Sequence, residues 1–168
     1  YTQIDSTMRM FVEPVLWSDE NQLTGEYVEM MMMNGQIDKA RLYTTPFIVS
    51  QEDSVRFNQV RGKLMTGYFK ENHLYKIIVT GNGQTLYYPK DNKDIIGINK
   101  ADCSDLVIHV DSSKIKQIDF ITEPEATLYP VDQGPEEVIL KGFVWYENIR
   151  PLKKEDIFIY PEQKTKVM

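Results

Sequence analysis

An all-β fold made of stacked antiparallel units is predicted by three features of this 168-residue chain. A five-residue pattern recurs along it, each recurrence leads into apolar alternation at period 2, and turn or break residues follow at aligned places. The recurrences are Asn21-Gln22-Leu23-Thr24-Gly25, Asn58-Gln59-Val60-Arg61-Gly62 and Asn99-Lys100-Ala101-Asp102-Cys103. Each reads Asn, polar, apolar, polar, small, and they stand 37 and then 41 residues apart.

Carrying the same offsets forward aligns Val28, Met65 and Leu106, then Met30, Gly67 and Ile108, then Met32, Phe69 and Val110. The residues between them, from Glu29, Thr66 and Val107 to Met33, Lys70 and Asp111, are mixed and mostly polar. One strand with a buried and a wet face is therefore expected in each unit. Asn34-Gly35, Glu71-Asn72 and Ser112-Ser113 come next and predict hairpin turns, Asn-Gly being the strongest such signal because both residues tolerate positive φ. The return strands open at Ile37, Leu74 and Ile115 and continue through Ala40, Ile77 and Ile118 to Leu42, Val79 and Phe120. Their first step is three residues rather than two, as a β-bulge or a corner would produce.

Each return strand is then broken, at Thr45-Pro46, Gly81-Asn82-Gly83 and Glu123-Pro124, where proline cannot supply the N–H of a central ladder. These are expected kinks where the chain changes sheet, leading into Phe47–Val49, Thr85–Tyr88 and Ala126–Tyr129. The N-terminus fits the same half-unit: Met8, Met10 and Glu13-Pro14 lie 32 residues before Ala40, Leu42 and Thr45-Pro46. The chain is thus expected to begin in mid-repeat, as a piece cut from a longer array.

Two regions follow: 1–130 holds the repeats, and 131–168 forms a C-terminal extension in which the periodicity stops. Gln133 to Glu137 reads as a loop, Val138 to Trp145 as an apolar segment ended by Arg150-Pro151, and Lys153 to Phe158 as one helical turn. The extension is expected to cap the last edge of the stack, and the tail from Glu162 to Met168 is polar.

Composition excludes several functions. A net charge of −6 opposes nucleic-acid binding, which needs a basic face. No run approaches the ~18 apolar residues of a membrane-spanning helix. Cys103 cannot form an internal disulfide and is expected to be a small buried residue. His73 lies beside a turn and His109 on the wet face, neither with partners at metal-ligand spacing. There is no phosphate loop, Gly-x-Ser-x-Gly elbow or His-Glu-x-x-His motif, and no cofactor site is expected. Acidic residues cluster on turns such as Asp91–Asp94, where they keep edges soluble. The run Met30–Met33 alternates between faces; its inward members suit either a core or an adaptable apolar surface.

With the repeat in hand, the chain resembles the OstA-like family of Gram-negative bacteria, related to the lipopolysaccharide-transport proteins LptA and LptC and the N-terminal domain of LptD. The resemblance runs through Glu13-Pro14-Val15-Leu16-Trp17-Ser18-Asp19-Glu20-Asn21-Gln22-Leu23, Gly62–Phe69, Gly81–Thr85 and Pro124–Pro130, and extends to Leu140–Phe143 and Arg150–Phe158. It implies a β-jellyroll, open at one side and both ends, whose interior cradles acyl chains of lipopolysaccharide or another acylated lipid. It also implies a non-enzymatic module of outer-membrane biogenesis. The location implied is periplasmic, with or without attachment to the outer membrane, and the partners are other transport jellyrolls or further copies joined edge to edge. The segment after Val131 departs from a compact single-jellyroll carrier.

On this reading the lipid-facing residues are Val28, Met30, Met32, Ala40, Leu42, Met65, Phe69, Ile77, Val79, Leu106, Ile108, Val110, Ile118 and Phe120. Each buried methylene gains ~0.8 kcal/mol, so such a trough would hold an acyl chain by shape-tolerant contact. The same column serves equally as a filled core. The alternative function is a structural scaffold that binds protein partners through exposed strand edges. A carbohydrate-active enzyme would need a converging carboxylate pair, which the sequence does not designate.

Overall fold

Period-2 apolar runs separated by residues at positive φ form strands from Ser6 to Tyr129. A computed structural model describes residues 6–134, 138–153 and 156. The strands are β1 (Ser6–Phe11), β2 (Val15–Ser18), β3 (Asn21–Thr24), β4 (Tyr27–Met33), β5 (Gln36–Tyr43), β6 (Phe47–Gln51), β7 (Phe57–Arg61) and β8 (Leu64–Lys70). They continue with β9 (His73–Tyr87), β10 (Lys90–Asp91), β11 (Asp94–Ile95), β12 (Ile98–Asp111), β13 (Lys114–Phe120) and β14 (Glu125–Tyr129). Twelve of them form one antiparallel sheet that curls on itself into a jellyroll-like half-barrel, and β10 and β11 make a separate hairpin.

The curl follows from the repeat. β9 pairs with β8 along its first half and with β7 along its second, and β12 divides likewise between β13 and β14. The result is two facing half-sheets. The first runs β1-β4-β5-β8-β9-β12-β13 and the second β2-β3-β6-β7-β9-β12-β14, with the long strands β9 and β12 bending through both. Each recurrence supplies one antiparallel pair, and successive pairs are neighbours.

Backbone conformation explains the aligned punctuation. The hairpin turns place both central residues at positive φ, with Asn34 and Gly35 at 53° and 75°, Glu71 and Asn72 at 52° and 64°, and Ser112 and Ser113 at 50° and 67°. That is the type I′ signature, whose twist matches the strands it joins. Beyond each turn the ladder slips by one residue, between Met31 and Met32, Tyr68 and Phe69, and His109 and Val110. The three-residue step is therefore a β-bulge in all three units. The bends reuse the left-handed pair, at Val12 and Glu13, Thr44 and Thr45, and Gly81 and Asn82, with Glu123 left-handed at the last.

Pairing register defines two cross-strand rows on the inner face of the first half-sheet. One is Met10, Val28, Leu42, Met65, Val79, Leu106 and Phe120; the other is Met8, Met30, Ala40, Gly67, Ile77, Ile108 and Ile118. They pack against Leu23, Ile48 and Val60 of the second half-sheet to form the main core. A second, smaller core of Phe47, Val49, Leu86, Tyr88, Ile98 and Leu140 lies on the outer face of the second half-sheet.

The C-terminal segment differs from its expectation as an edge cap. Residues 138–150 cross that outer face as a strap that folds through one β-turn, where the Phe143 N–H donates to the Leu140 carbonyl at 3.0 Å and Gly142 takes φ 92°, and ends in one 3-10 turn, Glu147–Ile149; β14 keeps its outer edge without a described partner. The reason is local: the second half-sheet presents Phe47, Phe57 and Trp17 outward, and the strap supplies Phe143 and Trp145 to cover them. Of the expected turn at Lys153–Phe158, only Lys153 and Asp156 are described; Asp156 Oδ2 accepts from the backbone N–H groups of Leu152 and Lys153. The remainder of that turn, the tail, and Pro135–Glu137 of the loop lie outside the described residues.

Candidate functional site

Nine of the fourteen residues expected to face lipid belong to the main core, Val110 among them at 7% exposed, and Phe69, Ile118 and Phe120 pack against it. Val28, Ala40, Leu42, Met65, Val79, Leu106 and Ile108 are 0% exposed, with Ile77 at 1%. They are packed on both sides and form a filled core rather than a channel. Met30, Met32, Phe69, Ile118 and Phe120 are half-buried; Met30 and Phe69 border the opening between the half-sheets, and Ile118 and Phe120 pack against the core from the edge strand β13. Gly67 leaves room for this arrangement, since a Cβ there would meet Leu74 Cδ1 at 3.1 Å and Phe69 Cε2 at 3.5 Å.

A cleft of about 150 Å³ opens at the seam opposite the bends. Leu16 and Leu23 form one wall; Met30, Ile37 and Phe69 form the other. Toward β1 the apolar surface continues into solvent, because Met8 pairs directly with Met30 and is 52% exposed. Three of the four methionines there, Met10, Met30 and Met32, are half-buried. Flexible thioether chains suit a surface that must adapt to an irregular apolar ligand.

Polar contacts span the seam. Asn21, first residue of the first recurrence, is 2% exposed and donates from Nδ2 to the backbone oxygen of Ser113, at the tip of the third hairpin, at 3.0 Å. His73 Nδ1 lies 3.3 Å from Asp19 Oδ2, and Tyr87 donates to the Ile115 carbonyl at 3.4 Å. Among the described residues no group of three His, Cys, Asp or Glu side chains is placed to hold a metal ion.

Other concavities have a different character. A groove of about 910 Å³ follows the line of bends, with Arg61, Lys63, Asp102, Glu123 and Glu125 among its lining residues. Its lining residues carry charges of both signs and include no aliphatic side chain. Cys103 borders it as a buried residue whose thiol pKa is pushed up by burial, and a Cβ on its cross-strand partner Gly83 would lie 3.2 Å from Cys103 Sγ. On the outer face of the first half-sheet, Glu29 accepts from Tyr27 at 2.6 Å, Tyr43 at 3.1 Å and Arg9 at 3.2 Å. The Tyr27 hydrogen bond is the largest cause of a Glu29 pKa below its ordinary value. His109 pairs with Asp119 at 2.9 Å on the same wet face.

Sequence reasoning missed Gln22 and Gln59. Both are outward-facing in their strands yet nearly inaccessible, at 1% and 2% exposed, and both hold the strap. Their signal was available: the same amide stands one residue after the Asn in two recurrences and becomes Lys100 in the third. Comparison with protein-family descriptions, curated proteins and solved structures finds no match to this chain.

Proposed function

We propose that this chain is a non-enzymatic lipid-binding module, of the kind that carries lipopolysaccharide across the periplasm, and that it takes acyl chains at the seam rather than through the whole interior. The observation that carries the reading is the apolar inner face, closed by packing in its middle but opening at the seam and the β1 end, where Met8, Met10, Met30 and Met32 line it. A cleft of about 150 Å³ is small beside the ~300–1,000 Å³ of ordinary ligand sites. A long chain would therefore lie partly in the cleft and partly along the methionine surface, with the half-sheets parting to admit more.

Edge strands favour a second reading. β1 and β2 at one end, and β13 and β14 at the other, have no described partner on their outer sides. Unpaired N–H and C=O groups of this kind recruit further strands, so the module would also join others edge to edge, and a scaffold would use those edges alone. Native mass spectrometry of the protein purified from a Gram-negative host separates the two. Bound lipopolysaccharide or phospholipid supports the lipid module, whereas lipid-free oligomers favour the scaffold.

A further inference from the structure

We infer that the outer face of the β2-β3-β6-β7 half-sheet is a binding site for a peptide segment folded through a single β-turn, filled in this structure by the chain's own residues 138–146 and able to take the same segment from a second copy. The inference stands apart from the lipid reading, since it concerns the opposite face of the sheet.

Two side-chain amides define the site. Gln59 donates from Nε2 to the Val138 carbonyl at 3.0 Å and accepts the Leu140 N–H on Oε1 at 2.8 Å. Gln22 repeats the arrangement, donating to the Val144 carbonyl at 2.7 Å and accepting from the Tyr146 N–H at 2.7 Å. In both cases the amide reads the carbonyl of one residue and the N–H two residues on, the pair of groups a neighbouring β-strand would otherwise satisfy. The clamps occupy equivalent positions of successive units and share one cross-strand row, Trp17, Gln22, Val49, Gln59, Leu86 and Lys100. Lysine in the third unit replaces the amide, so the double clamp spans two units.

Between the clamps the site reads side chains. Leu140 enters the cluster of Val49, Leu86 and Ile98, and Phe143 packs 5.4 Å from Phe57. Trp145 sits edge-on to Trp17 at 5.0 Å. Arg61 donates to the Lys141 carbonyl between the clamps at 2.8 Å, and beyond the second clamp Arg150 of the strap donates to the Asp19 carbonyl at 2.6 Å. The ligand specified is thus a segment with Leu-x-Gly-Phe-x-Trp spacing, whose Leu-to-Phe stretch forms a β-turn that needs glycine at its left-handed position.

The strap is held as a ligand is held. It joins no ladder of the sheet, and residues 131–134 leading to it are exposed. Every copy of the chain presents an identical segment on such a tether, and exchanging an element between copies replaces each contact with its equivalent. The tether raises the local concentration of the chain's own strap, so exchange should grow with protein concentration.

The test uses the full chain with a protease site inserted after Gln133. After cleavage the strap should co-elute with a folded body, and a labelled peptide of residues 138–150 should replace it saturably. Affinity should fall at least tenfold when Gln22→Ala and Gln59→Ala are combined, or when the peptide carries Trp145→Ala. Uncut chains mixed as light and heavy isotopes at high concentration should give strap-to-body crosslinks of mixed mass. Unfolding of the body on cleavage would make the strap a core element and overturn the inference. So would release of the strap without binding of the peptide, and crosslinks confined to single chains would overturn its extension to a second copy.

Discussion

Substituting Asp for Phe69 and, separately, for Ile108 should separate the cleft from the core, although both residues share one inner face. Ile108 is 0% exposed between Ile77 and Ile118, so Asp there loses an aliphatic side chain worth ~2–5 kcal/mol and strands a carboxylate for several more. Against a total of ~5–15 kcal/mol that is enough to unfold much of the population. Phe69 lines the cleft and is half-buried, so water reaches an Asp at that position and the fold should survive. Binding should not survive. At roughly 30 Å³ per methylene-sized group, the 150 Å³ cleft holds about five methylenes. At ~0.8 kcal/mol each these supply about 4 kcal/mol, a millimolar site by itself or about a thousandfold within a longer chain's affinity. Urea denaturation followed by circular dichroism measures the first effect, and displacement of a fluorescent fatty acid measures the second, with Thr66→Asp on the outer face as control. If Phe69→Asp unfolds the protein as severely as Ile108→Asp, the cleft is sealed core. If it folds and still captures the probe, acyl chains lie elsewhere.

Gly62→Ala should cost about 1–3 kcal/mol by overpacking, measured by denaturant midpoint, because the added Cβ would overlap Val79 Cγ1. Thr85→Val should stabilise by about 1–2 kcal/mol, since the Thr85 hydroxyl is buried with no hydrogen-bond partner among the described residues; a loss of stability there would mean the hydroxyl is satisfied. Glu29 has a folded-state pKa below its ordinary value, so its contribution favours the folded state at neutral pH and fades as pH falls through that lowered pKa. Carboxyl NMR should show its midpoint moving up in Tyr27→Phe, and an unmoved midpoint would remove the hydrogen bond as the leading cause.

Local rules carried much of the fold because the structure is periodic. Strand faces, type I′ turns and bulges each follow from a few adjacent residues, and three recurrences gave three independent readings of the same register, from Val28 to Leu106. The small residue closing each recurrence has its reason in contact: Gly62 abuts Val79, and Cys103 is accommodated because its partner is Gly83. The strap was not legible, since its place depends on aromatic and amide contacts between residues some 80 to 124 positions apart, such as Gln59 with Val138 and Gln22 with Tyr146. The division of the inner face into packed middle and open seam was hidden for a similar reason. Alternation tells which way Met30 and Ile108 point, but how closely the opposite half-sheet approaches each is set by the whole curl.

Lipid capture at the seam is tested most directly by a photo-reactive phenylalanine analogue in place of Phe69, with a second at Thr66 on the outer face, in protein made in a Gram-negative host. Irradiation in cells should give an adduct with lipopolysaccharide or another acylated lipid from position 69 and none from position 66. Adducts from position 69 to protein neighbours alone would contradict the lipid module and leave the edge-binding scaffold in its place.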